Sequence, residues 1–180
     1  MVTTSMQNLP MNKPRERSIQ RKALIDELHF THKQLLRMLP TLARRVEADR
    51  TAPVLSLQCE QDRRNQARLV QLALDHGQPP GPRLCAEASA RVHQLYHVDR
   101  SIEDRDARSA VVVNTLLDLR AYLLSIWGKL IEVEPLGVAV ELHNELIALQ
   151  SAAAEQHREL VLLIGSWQNV EAPSAVPLSA

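Results

Sequence analysis

The run Ala110–Ile131, AVVVNTLLDLRAYLLSIWGKLI, is the most apolar stretch of the 180-residue chain. It is long enough for about six turns of helix. At about 100° per residue, Asn114, Asp118, Ser125 and Lys129 fall on one narrow stripe, and nearly everything else is apolar. A helix that apolar must be covered on most sides, so the sequence predicts the central helix of a bundle. Asn114, Asp118, Arg120 and Lys129 argue against a membrane span despite the length. Arg120 breaks the pattern. It projects opposite the polar stripe, in line with Leu116, Leu117, Leu124 and Trp127. A buried guanidinium needs a partner, because an unpaired buried charge is very costly. The alternative is that Arg120 snorkels to the surface at a bundle edge.

The formal net charge is +0 and the pI about 7.1, so no global basic field points to nucleic acid. Aromatic residues make up 3%, few for an enzyme pocket or a stacking surface. Few glycines and much Ala, Leu, Glu, Gln and Arg favour helices. Cys59 and Cys85 form no CxxC pair and suggest no disulfide framework, so reduced thiols in a cytoplasmic protein are expected. The N-terminal residues carry no apolar h-region, so no secretory signal is expected.

Residues 1–17 are polar and aperiodic and read as a disordered arm. The first helix is expected over Ser18–Ala48, with Leu24, Leu28, Leu35, Leu39, Leu42 and Val46 as its seam and Ser18 as cap. Pro40 inside it should kink rather than end it. The second helix is expected from a Thr51 cap to about His76, with Gly77 as its stop. Its ends are apolar and its middle, Cys59–Arg68, is polar. If Leu55, Cys59, Leu69 and Ala73 define the core face, Asp62 and Gln66 lie on it, flanked by Glu60 and Arg63. A polar centre between apolar ends is how bundles build internal polar or metal sites. A rigid QPPGPR loop follows, then a shorter helix over Leu84–Val98, the central helix over Arg105–Val133 and a last helix over Val138–Trp167. Residues 168–180 read as a disordered tail, which leaves 18–167 as the helical domain.

Four long helices with an extended link between the second and third suggest a ferritin-like bundle. Leu24–Ala43, LIDELHFTHKQLLRMLPTLA, resembles the opening of the YciE/YciF family, LxDLYxAEKQLxKALPKLA. RLVQLALDHGQPPGPRLC at Arg68–Cys85 resembles that family's RLEQVFELLG…KC. Arg105-Asp-Ala-Arg resembles its RDAAL, and Ile126-Trp-Gly-Lys-Leu130 its SYGTL. The resemblance spans residues 22–165 in order. It implies an all-α, ferritin-like four-helix bundle with an additional short helix in the link. It also implies a site for two iron or manganese ions, formed by carboxylates and histidine. Carried over by position, that site is depleted. His32 stands for the first glutamate. Glu60 survives, but Arg63 replaces a histidine. Arg120 and Leu123 replace two carboxylates, and Ala152, Ala153 and Ala154 replace three acids, with Glu155 the nearest survivor. Two hard divalent ions need several carboxylates.

The expectation is therefore a lost metal site and no cofactor, with a buried ion cluster of Glu60, Asp62, Arg63 and Arg120 in its place. The competing reading is an oxidoreductase or storage protein with a reduced iron or manganese site at His32, Glu60, Asp62 and His157. His93 and His97 are four apart, a spacing that clamps a metal only with further ligands. His29 and His32, three apart, are a similar pair, and both can equally be helix-surface or core-edge residues. No serine has a nucleophile-elbow context and no Gly-rich phosphate loop exists, so no catalytic residue is assigned. The family resemblance implies a bacterial, stress-associated homodimer paired through the first two helices. A dedicated partner-binding protein, such as an immunity protein or chaperone, is a further alternative. Neither nucleic acid nor membrane is expected as a partner.

Overall fold

The structure, a computed structural model, describes residues 13–47, 49–82, 85–134 and 140–168. They form five helices: α1 (Lys13–Arg45), α2 (Thr51–Asp75), α3 (Ala86–Ser101), α4 (Arg105–Val133) and α5 (Val140–Gln168). No strand occurs among the described residues. The expected helices are all present, and α4 has the expected bounds.

Several ends differ. α1 begins at Lys13, ahead of Ser18, so part of the expected arm is helical. The segment KPRER explains this, since Lys, Arg and Glu are good helix formers, Pro14 suits a first turn, and Glu16 complements the helix N-terminus. Thr51 lies inside α2 rather than capping it; Arg50 holds the cap position without a side-chain bond. α3 starts at Ala86 and continues to Ser101, beyond Val98. The rest of the arm (1–12), Leu84, Val138, Ala139 and the tail from 169 lie outside the described residues. Gln168 closes α5 instead of opening that tail.

Local chemistry accounts for the well-defined ends. α2 stops at a Schellman turn. Gly77 takes φ 65°, and the N–H groups of Gly77 and Gln78 donate to the carbonyls of Leu74 (2.9 Å) and Ala73 (2.8 Å). A side chain at Gly77 would be strained by that φ. α4 starts where Asp104 accepts from the Ala107 N–H at 2.7 Å. α1 runs through Pro40, which is exposed; the ring costs one main-chain bond without ending the helix.

α1 packs on α2 and α4, α5 packs on α2 and α4, and α3 lies against α1 and α4. Cross-helix bonds give the directions. Arg21 bonds Glu134 while Glu47 bonds Ser109, so α1 and α4 are antiparallel. Gln58 reaches Gln156 and Arg68 reaches Glu145, so α2 and α5 are antiparallel. α2 and α4 sit diagonally and run the same way, joined by the long connection that contains α3.

The core is a leucine bundle: Leu28, Leu35 and Leu39 of α1, Leu55 and Leu69 of α2, Leu116, Leu119 and Leu123 of α4, and Leu149 and Leu160 of α5 are at most 1% exposed. Each such side chain contributes about 1.5–3 kcal/mol on burial. α4 is apolar and long enough to cross a membrane by length and composition, but it lies inside this core. Its stripe of Asn114, Asp118, Ser125 and Lys129 is exposed, as the periodicity requires.

Candidate functional site

The leucine layers are interrupted at mid-height. On α1, His32 occupies the core line between Leu28 and Leu35. On α2 the stripe Leu55, Gln58, Asp62, Asn65, Leu69 steps by three and four, so its three central members point inward with the leucines. On α4 the same geometry aims Arg120 at the bundle axis. On α5 Gln156 takes the core position between Ala153 and Leu160. His32, Gln58, Asp62 and Gln156 are 0% exposed, and Arg120 1%.

These residues form one network. Arg120 donates from Nη1 and Nη2 to the two carboxylate oxygens of Asp62, each at 2.7 Å, and from Nε to Gln58 Oε1 at 2.9 Å. The planar guanidinium thus grips the carboxylate with two parallel bonds across the diagonal of the bundle. His32 Nδ1 donates to Asp62 Oδ1 at 3.0 Å. Gln58 Nε2 donates to the Gln156 main-chain carbonyl and to Glu159 Oε2, both at 2.9 Å. Gln156 Nε2 lies 3.3 Å from the Gln58 carbonyl and 3.4 Å from Asp62 Oδ1, and Asn65 Nδ2 lies 3.4 Å from Gln156 Oε1. All four long helices contribute. His32 Nε2 and the neighbouring Trp127 Nε1 are buried without a hydrogen-bond partner among the described residues, their rings 6.3 Å apart.

Burial alone would push the Asp62 carboxyl up. The charge of Arg120 and the bonds from His32 and Arg120 outweigh it and hold the carboxyl well below the usual carboxylate range. Asp62 is therefore an acceptor only, and its two oxygens take their bonds from Arg120, His32 and Gln156.

Two members of the expected cluster lie elsewhere. Glu60 and Arg63 sit on the outer face of α2, where they bond each other, one turn apart and more than half exposed. Leu55, Cys59, Leu69 and Ala73 are buried as expected, but the polar residues that share their face lie toward Gln58 and Asn65. The inward residues are Gln58, Asp62 and Asn65, while Gln66 is only half-buried. The reduced metal site is corrected on the same ground. His32 and Asp62 meet, but Glu60 is exposed and the half-buried His157 is not part of the network. Among the described residues no group of three or more His, Cys, Asp or Glu is placed to hold a metal ion. A centre whose one fully buried carboxylate is paired to a guanidinium, with the half-buried Glu159 already accepting from Gln58 and Gln61, does not fit iron or manganese, which need several anionic oxygens.

The sequence reading missed Gln58, Asn65 and Gln156. Gln156 left a signal, a polar break in the α5 line Leu149, Ala153, Leu160. Gln58 lies one turn before Asp62 on the same line.

The remaining candidates are accounted for locally. His93 and His97 stack edge to face at 4.2 Å on the exposed side of α3. Cys59 is buried and its thiol pushed up by burial, which disfavours the reactive thiolate. Glu155 bonds Arg158 at the surface. A further polar contact joins α1 to α4 where the Tyr122 hydroxyl donates to Glu27, and Arg91 of α3 covers the Tyr122 ring at 4.6 Å. Burial and then the Glu27 carboxylate push the Tyr122 phenol well up, so it stays protonated.

No family model matches the chain, and no curated protein matches it. A solved structure does: "YcfI, a putative structural protein from Rhodopseudomonas palustris" matches with a TM-score of 0.69 over 77% of this chain and 90% of that one, at 17% identity. At that identity the likeness concerns the fold alone.

Proposed function

We propose that the chain is a non-catalytic, ferritin-like helical bundle of the cytoplasm. In this reading a charge network stands at its centre where metal-binding relatives hold two ions, and the protein acts through its surface, by self-association or by binding a partner. The observation that carries this reading is the double grip of Arg120 on Asp62. It takes both oxygens of the one carboxylate at the bundle axis and puts a permanent cation there, where a metal ion would be repelled. Helix directions support the ferritin-like part. α2 and α4 run the same way with one long crossover between them, the arrangement of ferritin-like bundles. The sequence motifs at Leu24–Ala43 and Arg105 onward support a distant kinship with the YciE/YciF family, and with it a stress-associated bacterial homodimer. A neighbour described as a structural protein is compatible with a role without chemistry.

The test is elemental analysis of protein purified from cells grown with added iron and manganese, paired with sedimentation to read its oligomeric state. Metal well below one ion per chain, together with a folded dimer or a stable complex, is the expected result. Iron or manganese at one or two ions per chain that survives chelation would overturn the reading.

A further inference from the structure

Outside the central network, a cleft on α1 brings together two neighbouring cations that make no ion pair. It has a volume of about 460 Å³ and lies between the α1 turns from His29 to Arg37 and the loop at residues 80–82. That volume is within the range of about 300–1,000 Å³ usual for small-molecule sites. His29, Lys33 and Arg37 follow at four-residue steps, so they form one line along the helix, with Phe30 and Gln34 on the adjacent line. No carboxylate is among the described residues that line the cleft. Several cations elsewhere are paired: Arg21 with Glu134, Lys22 with Asp26, Arg68 with Glu145 and Arg158 with Glu155. Lys33 and Arg37 make no ion pair or hydrogen bond with any described residue, and both are exposed along the cleft. His29 Nδ1 is buried against it with no partner.

The opposite wall is fixed. The Gly81 N–H donates to Asp26 Oδ1 at 2.7 Å, and Asp26 is held in turn by Lys22. A Cβ at residue 81 would lie 3.2 Å from Lys22 Nζ and 3.7 Å from the Asp26 carboxylate, so the loop passes close to α1 at this point. Prolines on both sides of Gly81 stiffen the wall further. The result is a site with a rigid prolyl wall, a phenyl ring and two free cations.

We propose that this cleft binds a small phosphate monoester carrying a flat or apolar body. Arg37 and Lys33 together match the charge of a phosphate monoester, about −1.5 to −2 at neutral pH, and the guanidinium fork fits two of its oxygens. Phe30 and the prolines cover the organic body. Burial and the neighbouring Lys33 pull the His29 pKa down, so His29 enters as a neutral polar group rather than a third charge. This assignment does not depend on the metal-free reading of the core, since the cleft lies on the other side of α1.

Phenyl phosphate is the probe, titrated into the full chain by calorimetry and by NMR at low salt, with inorganic phosphate and phenol alongside. One saturable site is expected for phenyl phosphate, with inorganic phosphate weaker and phenol silent. Lys33→Gln with Arg37→Gln, both exposed and without structural partners, should weaken binding at least about tenfold while leaving the circular dichroism and melting curve unchanged. Lys129→Gln, a cation on the exposed stripe of α4, should change nothing. Equal binding by the double variant, loss of binding with Lys129→Gln alone, or no saturation by phenyl phosphate at millimolar concentration would each overturn the assignment.

Discussion

Two arginine–carboxylate pairs have their carboxylates within one turn of α2, and they differ in everything but their chemistry. Asp62 and Arg120 meet across the bundle diagonal, at most 1% exposed, through two bonds of 2.7 Å. Glu60 and Arg63 meet along the helix surface, more than half exposed. The outer pair exchanges water for a partner in a medium that screens both charges, and such pairs are worth little. The inner pair has given up water altogether. Its attraction is strong, but so was the cost of burying it, and the two nearly cancel. What the inner pair supplies is conditional: once both charges are inside, neither can be removed alone without stranding the other. Position on the helix, not residue type, sets that difference.

The sharpest break of this comparison is Arg120→Leu. It leaves Asp62 buried without its cation and should cost about 3–5 kcal/mol. For a chain of this size that lowers the melting temperature by roughly 6–20 °C. Next comes Gln156→Ala, which deprives Asn65 and the Gln58 carbonyl of their contacts and opens a small void. About 1–3 kcal/mol by urea unfolding is expected. The pH dependence follows from Asp62. Its folded-state value is depressed below the ordinary 3.8, so its contribution is complete above that value and is lost as pH falls below it. Acid titration followed by circular dichroism should show this loss in the native chain. The loss should shrink in a variant with leucine at both 62 and 120. At the other end of the scale, Glu60→Gln should leave the melting temperature unchanged within error, and a measured drop of several degrees would erase the contrast between the two pairs.

Much of the architecture could be read from periodicity. The seam of α1, the bounds of α4 and its exposed stripe all follow from apolar spacing, and so did the need of Arg120 for a partner. The site was only half legible. Asp62 was found because it lies near the α2 core face under more than one choice of phase. Glu60 and Arg63 read as core-edge residues because a polar mid-section hides its own phase: with no leucine between Leu57 and Leu69, a small rotation exchanges inside for outside. Gln58, Asn65 and Gln156 are not legible in the sequence because amides in helices usually face water, and only register across helices tells which do not. That register is set by packing of elements far apart in sequence, which no local pattern encodes. The start of α1 at Lys13 has the opposite cause, since charged residues that look like a solvated tail are also good helix formers.

The central claim is that Asp62 and Arg120 act as one unit that holds the bundle's middle. A double-mutant cycle with Asp62→Leu and Arg120→Leu, read by urea unfolding, tests it most directly. Both single variants should lose several kcal/mol, and the double variant should recover most of that loss, because two leucines of suitable volume replace the pair without stranding a charge. Single variants as stable as the native chain, or a double variant that loses the sum of both, would contradict the account.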